Sequence, residues 1–195
     1  MCAMETPEET ISTGSNKFVT GDHLPPTPVF RKGGLRSKPI AKLDLAKFKR
    51  PHLVGNRSLG WRALWYLINA IIFDSTIVGL IPSCLKAVIL RSFGARIGRG
   101  FVCKPRVYIK YPWFLDVGEH VWIGEHVWID NQCQVRIGAN TCISQGVYIF
   151  TGNHDWNDPL FPFFCRPVEI GEGVWVTAFT KIVPGTALMQ NTVVY

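Results

Sequence analysis

From Val117 onward, aliphatic residues recur every six positions. Val117, Ile123 and Ile129 form one run, Ile137, Ile143 and Ile149 a second, and Ile170, Val176, Ile182, Leu188 and Val194 a third. Gly118, Gly124, Gly138 and Gly171 each follow one of these aliphatics, with Asp130 and Ser144 at equivalent places. A period of six matches neither the 3.6 of a helix nor the 2 of a simple strand. It is the period of a hexapeptide-repeat parallel β-helix, in which each six residues build one flat side of a coil. Three sides close a triangular coil of eighteen residues, and the aliphatics stack inside as one continuous core. All eleven registered positions are aliphatic in a chain that is 47% hydrophobic, which chance does not supply. The expected fold class is therefore mainly β.

Two interruptions stand out. Val135 and Arg136 insert two residues before Ile137, and Phe150 to Val168 form a long loop between Ile149 and Ile170. Loops on a rigid scaffold commonly carry function. Upstream, Ile97-Gly98-Arg99-Gly100-Phe101 reads as the first hexad, and residues 102–116 keep strand character while losing strict register. Residues 59–93 read as helices. Trp61 to Phe73 is strongly apolar; Asp74, Ser75, Gly79 and Pro82 break it; Ser83 is placed to N-cap a second helix through Arg91, and Gly94 to end it. The longest uncharged runs, 63–73 and 75–85, are eleven residues each, against about 20 for a membrane-spanning helix. Such helices cap the first coil or lie in a membrane interface. The expected divisions are a disordered basic arm over 1–42, a helical N-terminal segment over 43–95 and the β-helix over 96–195. The chain stops at Tyr195 inside a hexad, with no closing helix, so the sequence is expected to be truncated at its C-terminal end.

The net charge of +7 is unevenly placed. Ten bases, from Arg31 to Arg62, are opposed in that stretch only by Asp44. Such a run attracts nucleic acid or an anionic membrane face, or is simply a solvated arm; peripheral membrane contact through residues 31–93 is one reading beside the solvated arm, and no nucleic-acid partner is expected. The six cysteines show no CxxC spacing and no secreted framework, and are read as reduced and mostly buried in a cytoplasmic protein. No apolar signal region occurs in the first thirty residues.

The loop supplies the leading chemical candidate, His154. An imidazole titrates near neutrality and can take a proton from a hydroxyl. Asp155 or Asp158 can orient it. Asn153, Asp155, Trp156 and Asp158 are candidates for holding the substrate, with Asp130 and Asn131 beside the two-residue insertion; the last two serve equally as a turn. Thr177 and Ala178 leave a narrow coil corner where Lys181 can meet a phosphate. His120 and His126 invite a metal reading, but residues six apart lie on successive sides, and eighteen after His120 stands Gly138. No metal is expected. Trp122, Trp128 and Trp175 precede inward aliphatics and face outward, as a subunit contact, a ligand wall or a surface beneath the helices.

The hexads, together with Thr151-Gly152-Asn153-His154-Asp155-Trp156-Asn157-Asp158-Pro159, resemble the hexapeptide-repeat acyltransferases, nearest the colanic-acid-type exopolysaccharide biosynthesis acetyltransferases. The likeness extends over about residues 45–195, including Arg62 to Leu67, Lys104 to Trp113, Val121 to Glu125 and Cys142 to Gly146. It implies a left-handed coil, a homotrimer with active sites between subunits, and acetyl-CoA as acyl donor. It implies His154 as general base toward a sugar hydroxyl of a polysaccharide precursor. A backbone N–H near Gly146 or in the following coil would steady the oxyanion, and Gly146, Thr177, Ala178 and Lys181 would serve the cofactor. The cysteines and the lack of a signal region give the cytoplasm as the expected setting, with a peripheral position at the inner face of the membrane as the alternative. The alternatives are an inactive β-helix used for binding or assembly, a serine-type O-acetyltransferase, and a zinc enzyme of the carbonic anhydrase type.

Overall fold

The structure is a computed structural model and describes residues 42–49 and 57–195. The expected basic arm over 1–42 lies outside them except for Lys42. Two helices come first: α1 (Leu59–Ile68), continued by a π-helical turn over Asn69–Phe73, and α2 (Ser83–Ser92). Sixteen short strands follow. They are β1 (Arg96–Ile97), β2 (Val102–Cys103), β3 (Tyr108–Ile109), β4 (Leu115–Val117), β5 (Trp122–Ile123), β6 (Trp128–Asp130), β7 (Val135–Ile137) and β8 (Cys142–Ile143). Then come β9 (Tyr148–Phe150), β10 (Gly152–His154), β11 (Phe163–Cys165), β12 (Val168–Ile170), β13 (Trp175–Val176), β14 (Lys181–Ile182), β15 (Ala187–Leu188) and β16 (Val193–Val194). All except β10 and β11 stack into three parallel sheets, β1-β4-β7-β12-β15, β2-β5-β8-β13-β16 and β3-β6-β9-β14. These are the three faces of a parallel β-helix.

The six-residue aliphatics fill its core. Val117, Ile123, Ile129, Ile137, Ile143, Ile149, Ile170, Val176 and Ile182 are all buried, while Leu188 and Val194 in the last coil are half-buried. A second inward position two residues earlier, Val121, Val127, Val147 and Val174, closes the gaps between them. Coil length departs from the expected eighteen. Arg96 pairs with Asp116 across 20 residues, because the third side carries two extra residues in each early coil. The insertion noted at Val135–Arg136 has its counterpart at Leu115–Asp116. Only the last coil, Ile170 to Leu188, has the shorter repeat.

The longer coil corrects the stacking partner of His120. His120 stands over Gly100, and Asn140, not Gly138, occupies the same corner one coil on. Gly100, His120, Asn140, Gly173 and Asn191 all have positive φ and turn that corner, the last four each donating their N–H to a carbonyl of the preceding coil; Arg106, His126, Gly146 and Phe179 turn the next one. The two histidines are thus corner residues on different stacks.

The first coil's three strand edges are closed group by group from the helices. Arg91 Nη2 donates to the Ile97 carbonyl of β1 at 2.6 Å. For β2, Ser83 Oγ accepts from Cys103 N at 3.0 Å, and Lys86 Nζ donates to the Cys103 and Lys104 carbonyls at 2.9 and 3.2 Å. For β3, Trp65 Nε1 donates to the Ile109 carbonyl at 2.9 Å and Asn69 Oδ1 accepts from Ile109 N at 3.1 Å. Open strand edges are otherwise templates for pairing with another chain. Ser83 therefore does not N-cap α2 as its position predicted, since its hydroxyl is engaged at β2. Gly94 does end the helix, at φ 94°, with its N–H donated to the Arg91 carbonyl.

The outward rows differ by face. The first carries Arg96–Asp116 and Arg136–Glu169 ion pairs, both at 2.7 Å. The second carries Val102, Trp122, Cys142, Trp175 and Val193 in one register, an uncharged row. The third stacks Tyr108 on Trp128, ring centroids 4.1 Å apart, with Tyr148 next and Lys181 beyond.

Candidate active site

The long loop leaves the third face after β9 and folds back as a hairpin. β10 pairs antiparallel with β11, with Gly152 opposite Cys165 and His154 opposite Phe163. Its base is fixed by Thr151, which is fully buried. Thr151 Oγ1 accepts from Gln132 N at 2.7 Å and Cys133 N at 3.1 Å, and its carbonyl takes the Arg166 N–H at 2.8 Å. Cys133 and Cys165 face one another across this base, their Cα atoms 6.3 Å apart. Cys103 is buried, Cys142 half-buried and Cys84 exposed.

The hairpin presents His154 half-buried among aromatic rings. Its imidazole stacks on Phe161 with centroids 4.3 Å apart and planes 5° from parallel. It meets Phe163 edge-on at 5.5 Å and Phe48 at 5.4 Å. Nδ1 lies 2.9 Å from the Phe161 carbonyl oxygen. A carbonyl only accepts, so Nδ1 carries the hydrogen and Nε2 of the neutral ring is left as an acceptor. That is the protonation pattern of a general base.

The orienting group is thus a backbone carbonyl rather than a carboxylate. Asp155 Oδ1 accepts from Asn157 N at 2.9 Å, and Asp158 Oδ1 from Leu160 N at 2.8 Å, so both carboxylates are engaged in turns of the loop. Asn153 Oδ1 accepts from His154 N at 2.8 Å, and Trp156 is exposed. The segment at Leu45–Lys47, a 3-10 turn, lies against the same loop: Asp44 N donates to the Pro159 carbonyl at 2.9 Å. Between them is a cleft of about 560 Å³ lined by Lys47, Phe48, Lys49, Leu160 and Pro162 with Ala46. Phe48, Phe161 and Phe163 were absent from the sequence reading of the site. The run Phe161-Pro162-Phe163-Phe164 in an otherwise polar loop was the available signal for two of them.

The remaining candidates divide. Asn131 is 0% exposed; its Oδ1 accepts from Tyr111 N at 3.0 Å and its Nδ2 donates to the Tyr111 carbonyl at 2.7 Å. With both ends of the amide engaged inside the coil, Asn131 belongs to the frame and has no polar atom for a substrate. Asp130 pairs with Lys110 at 2.8 Å on the third face. The Gly146 N–H is donated to the Glu125 carbonyl at 2.8 Å, so it is not a free oxyanion donor, which corrects that expectation. Thr177 Oγ1 donates to the Val194 carbonyl at 2.9 Å. The half-buried Ala178 N–H has no acceptor among the described residues. Lys181 is exposed and pairs with no carboxylate among them. No hydrogen bond among the described residues joins His154 to this corner. Trp122, Trp128 and Trp175 are all exposed, which rules out packing beneath the helices; Trp175 Nε1 donates to Ser144 Oγ at 2.9 Å. A groove of about 400 Å³ runs beside Trp122 and Cys142 on the second face.

No protein-family profile matches the chain. Among curated proteins, it is 37% identical over 134 residues to the protein named as the colanic acid biosynthesis acetyltransferase WcaF of Escherichia coli, covering 67% of this chain and 71% of that protein. It is 30% identical over 100 residues to nodulation protein L of Rhizobium meliloti, covering 49% and 54%. Among solved structures, the hexapeptide-repeat-containing acetyltransferase VCA0836 of Vibrio cholerae, complexed with acetyl coenzyme A, superposes with a TM-score of 0.59 at 16% identity, over 69% of this chain and 78% of that one.

Proposed function

The chain belongs to the hexapeptide-repeat acetyltransferases, with a curated relative in the colanic-acid-type branch, and from that premise we propose that it acetylates a sugar hydroxyl of a polysaccharide precursor with His154 as general base. The observation that carries this reading is the hydrogen bond from His154 Nδ1 to the Phe161 carbonyl, which leaves Nε2 directed to its task as an acceptor. Acetyl-CoA, the molecule bound by the Vibrio protein of the same fold, supplies the activated acyl group.

The chain's own residues do the rest. His154 Nε2 removes the proton of the acceptor hydroxyl as that oxygen bonds to the acyl carbon. The resulting imidazolium is held by the same Phe161 carbonyl, and returns the proton to the sulfur as the carbon–sulfur bond breaks. One acetyl ester and one free thiol result, and the base is restored. The open Ala178 N–H is the donor available for the acyl-donor arm or the developing oxyanion at the coil corner, with Lys181 as a cation for its phosphates. Asn153, Trp156 and Asp130 frame the acceptor side. On this reading the complete site is assembled between subunits of a homotrimer, with His154 of one meeting the Ala178 corner of the next. The uncharged second face, with Trp122 and Trp175 outward, supports such an assembly. A cytoplasmic setting, where acetyl-CoA is available, goes with this reading.

Release of free thiol from acetyl-CoA with a panel of sugar and nucleotide-sugar acceptors tests this. Acceptor-dependent release that falls by roughly 10²-fold or more in His154→Ala is expected. Equal release by the two proteins sinks the assignment and favours the binding or assembly reading.

A further inference from the structure

A helix packed on a core ordinarily turns polar side chains to water. α1 does not. Its Trp65, with Asn69 and Phe73 in the following turn, faces the first coil, while the opposite positions 60, 63, 64, 67, 70 and 71 are Gly, Ala, Leu, Leu, Ala and Ile, all exposed. No polar side chain occurs on that stripe. The connection to α2 continues it, with Ile77 82% and Leu80 74% exposed. In α2, Ala87 and Leu90 are buried as usual, but Lys86 is buried beside them at 0% exposure, bonded to two carbonyls of the coil, while Leu85 and Val88 face out. A buried cation beside exposed Leu85 and Val88 leaves an apolar exterior on this helix too.

The charge pattern fits one kind of exterior. Between residues 59 and 93 the only acidic residue is Asp74. Immediately upstream, residues 31–62 hold ten bases and one acid. Apolar helices with a basic flank are the composition of helices that lie in the interface of anionic bilayers. α1 and α2 have ten residues each, and no helix among the described residues is long and apolar enough to cross a membrane. A second copy of the chain fits less well, since a self-complementary contact through this face would bring two basic flanks together.

We propose that the helical cap docks on an anionic lipid bilayer, with Leu64, Leu67, Ile71, Ile77, Leu80 and Leu85 entering the interface. The same helices then close the β-helix on one side and hold it to the membrane on the other. This role goes beyond acetyl transfer and does not depend on it.

The test is co-sedimentation of the full chain with vesicles of phosphatidylglycerol and phosphatidylcholine, and with vesicles of phosphatidylcholine alone. The protein is expected to partition onto the anionic vesicles and to be released by salt. Leu64→Glu/Leu67→Glu lowers that partition by about tenfold or more, with oligomeric state by sedimentation and acetyl transfer to a soluble acceptor unchanged. Leu64→Ser/Leu67→Ser carries the same test should circular dichroism show that the glutamates unfold the cap. The proposal is overturned if the unaltered protein ignores anionic vesicles, if the folded variants bind them equally well, or if the variants lose subunits while vesicle binding persists; the last result assigns the face to a contact between copies.

Discussion

His154 and Phe161 are joined twice: their rings stack 4.3 Å apart, and the Phe161 carbonyl takes the imidazole Nδ1 hydrogen at 2.9 Å. Phe161 reaches this position at φ 50°, a left-handed conformation that turns its carbonyl back toward the histidine. The loop's own backbone therefore sets the tautomer. His154→Asn separates the two roles of the side chain. An asparagine amide can still donate toward the Phe161 carbonyl but offers no base. Thermal unfolding within a degree or two of the unaltered protein, together with a loss of roughly 10²-fold or more in kcat, is expected. A large fall in Tm accompanying the loss would move His154 into the loop's scaffolding.

Phe161 itself is a positioning residue. Phe161→Gly retains the carbonyl and relieves the positive φ, while removing the stacked ring. Steady-state kinetics should show kcat reduced by about tenfold, with the KM for acetyl-CoA within twofold. A KM effect of the same size as the kcat effect would mean that the ring contacts the donor.

Asn131 makes a different claim. Its amide closes both hydrogen-bonding groups of Tyr111 inside the coil. Asn131→Ala leaves those two groups buried without partners, and at about 1–3 kcal/mol for each, chemical denaturation should show a loss of about 2–6 kcal/mol. The KM for the acceptor stays unchanged in the protein that remains folded. A stable variant with a raised acceptor KM would return Asn131 to the substrate site.

How far the sequence went is visible in these residues. The core was legible because hexapeptide periodicity is written in side chains that must be apolar, from Val117 through Ile182. His154 was legible because it stands in the one long break in that periodicity. Coil length was legible only in part: the insertion at Val135–Arg136 already makes the coil from Val117 to Ile137 twenty residues long, whereas the two residues added before Val117 fall where the register is lost. The roles of Asn131 and Ser83 depend on strands brought beside them from 20 positions away in each case, and no local pattern announces such partners. The carbonyl of Phe161 was invisible for a further reason: a backbone acceptor belongs to every residue, and only its φ aims it. The inverted α1 face was readable as apolarity, but which side met the coil required the packing of Trp65 and Phe73.

Gly146 tests the corner geometry. Its φ is 66°, and a Cβ built there would lie 2.6 Å from the Phe179 ring of the next coil. Gly146→Ala should cost about 1–2 kcal/mol, the left-handed penalty for an L-residue. Because Phe179 is exposed, its ring can swing aside. Adding Phe179→Ala should accordingly recover only a minor part of the loss in denaturant titrations; full recovery would locate the cost in the ring contact instead.

Cys103 gives the chain a pH signature. Burial pushes its thiol up to about 12, partly offset by the nearby Lys86 ammonium. At neutral pH the folded thiol is protonated, so Cys84 should be alkylated readily while Cys103 reacts only after unfolding. The linkage sign follows from where the protons sit. Between the ordinary thiol pKa of 9.0 and about 12, the unfolded chain releases this proton and the folded chain keeps it. The unfolded state then binds fewer protons, and this group's contribution to stability falls as pH rises, by at most about 1.4 kcal/mol per pH unit. Lys86, whose own pKa is lowered by burial, titrates with the opposite sign, so the comparison must be made against Cys103→Ala. Subtracting the two denaturation curves over the alkaline range should leave a difference that shrinks steadily above pH 9.0. A flat difference would mean that water reaches the thiol beneath α2.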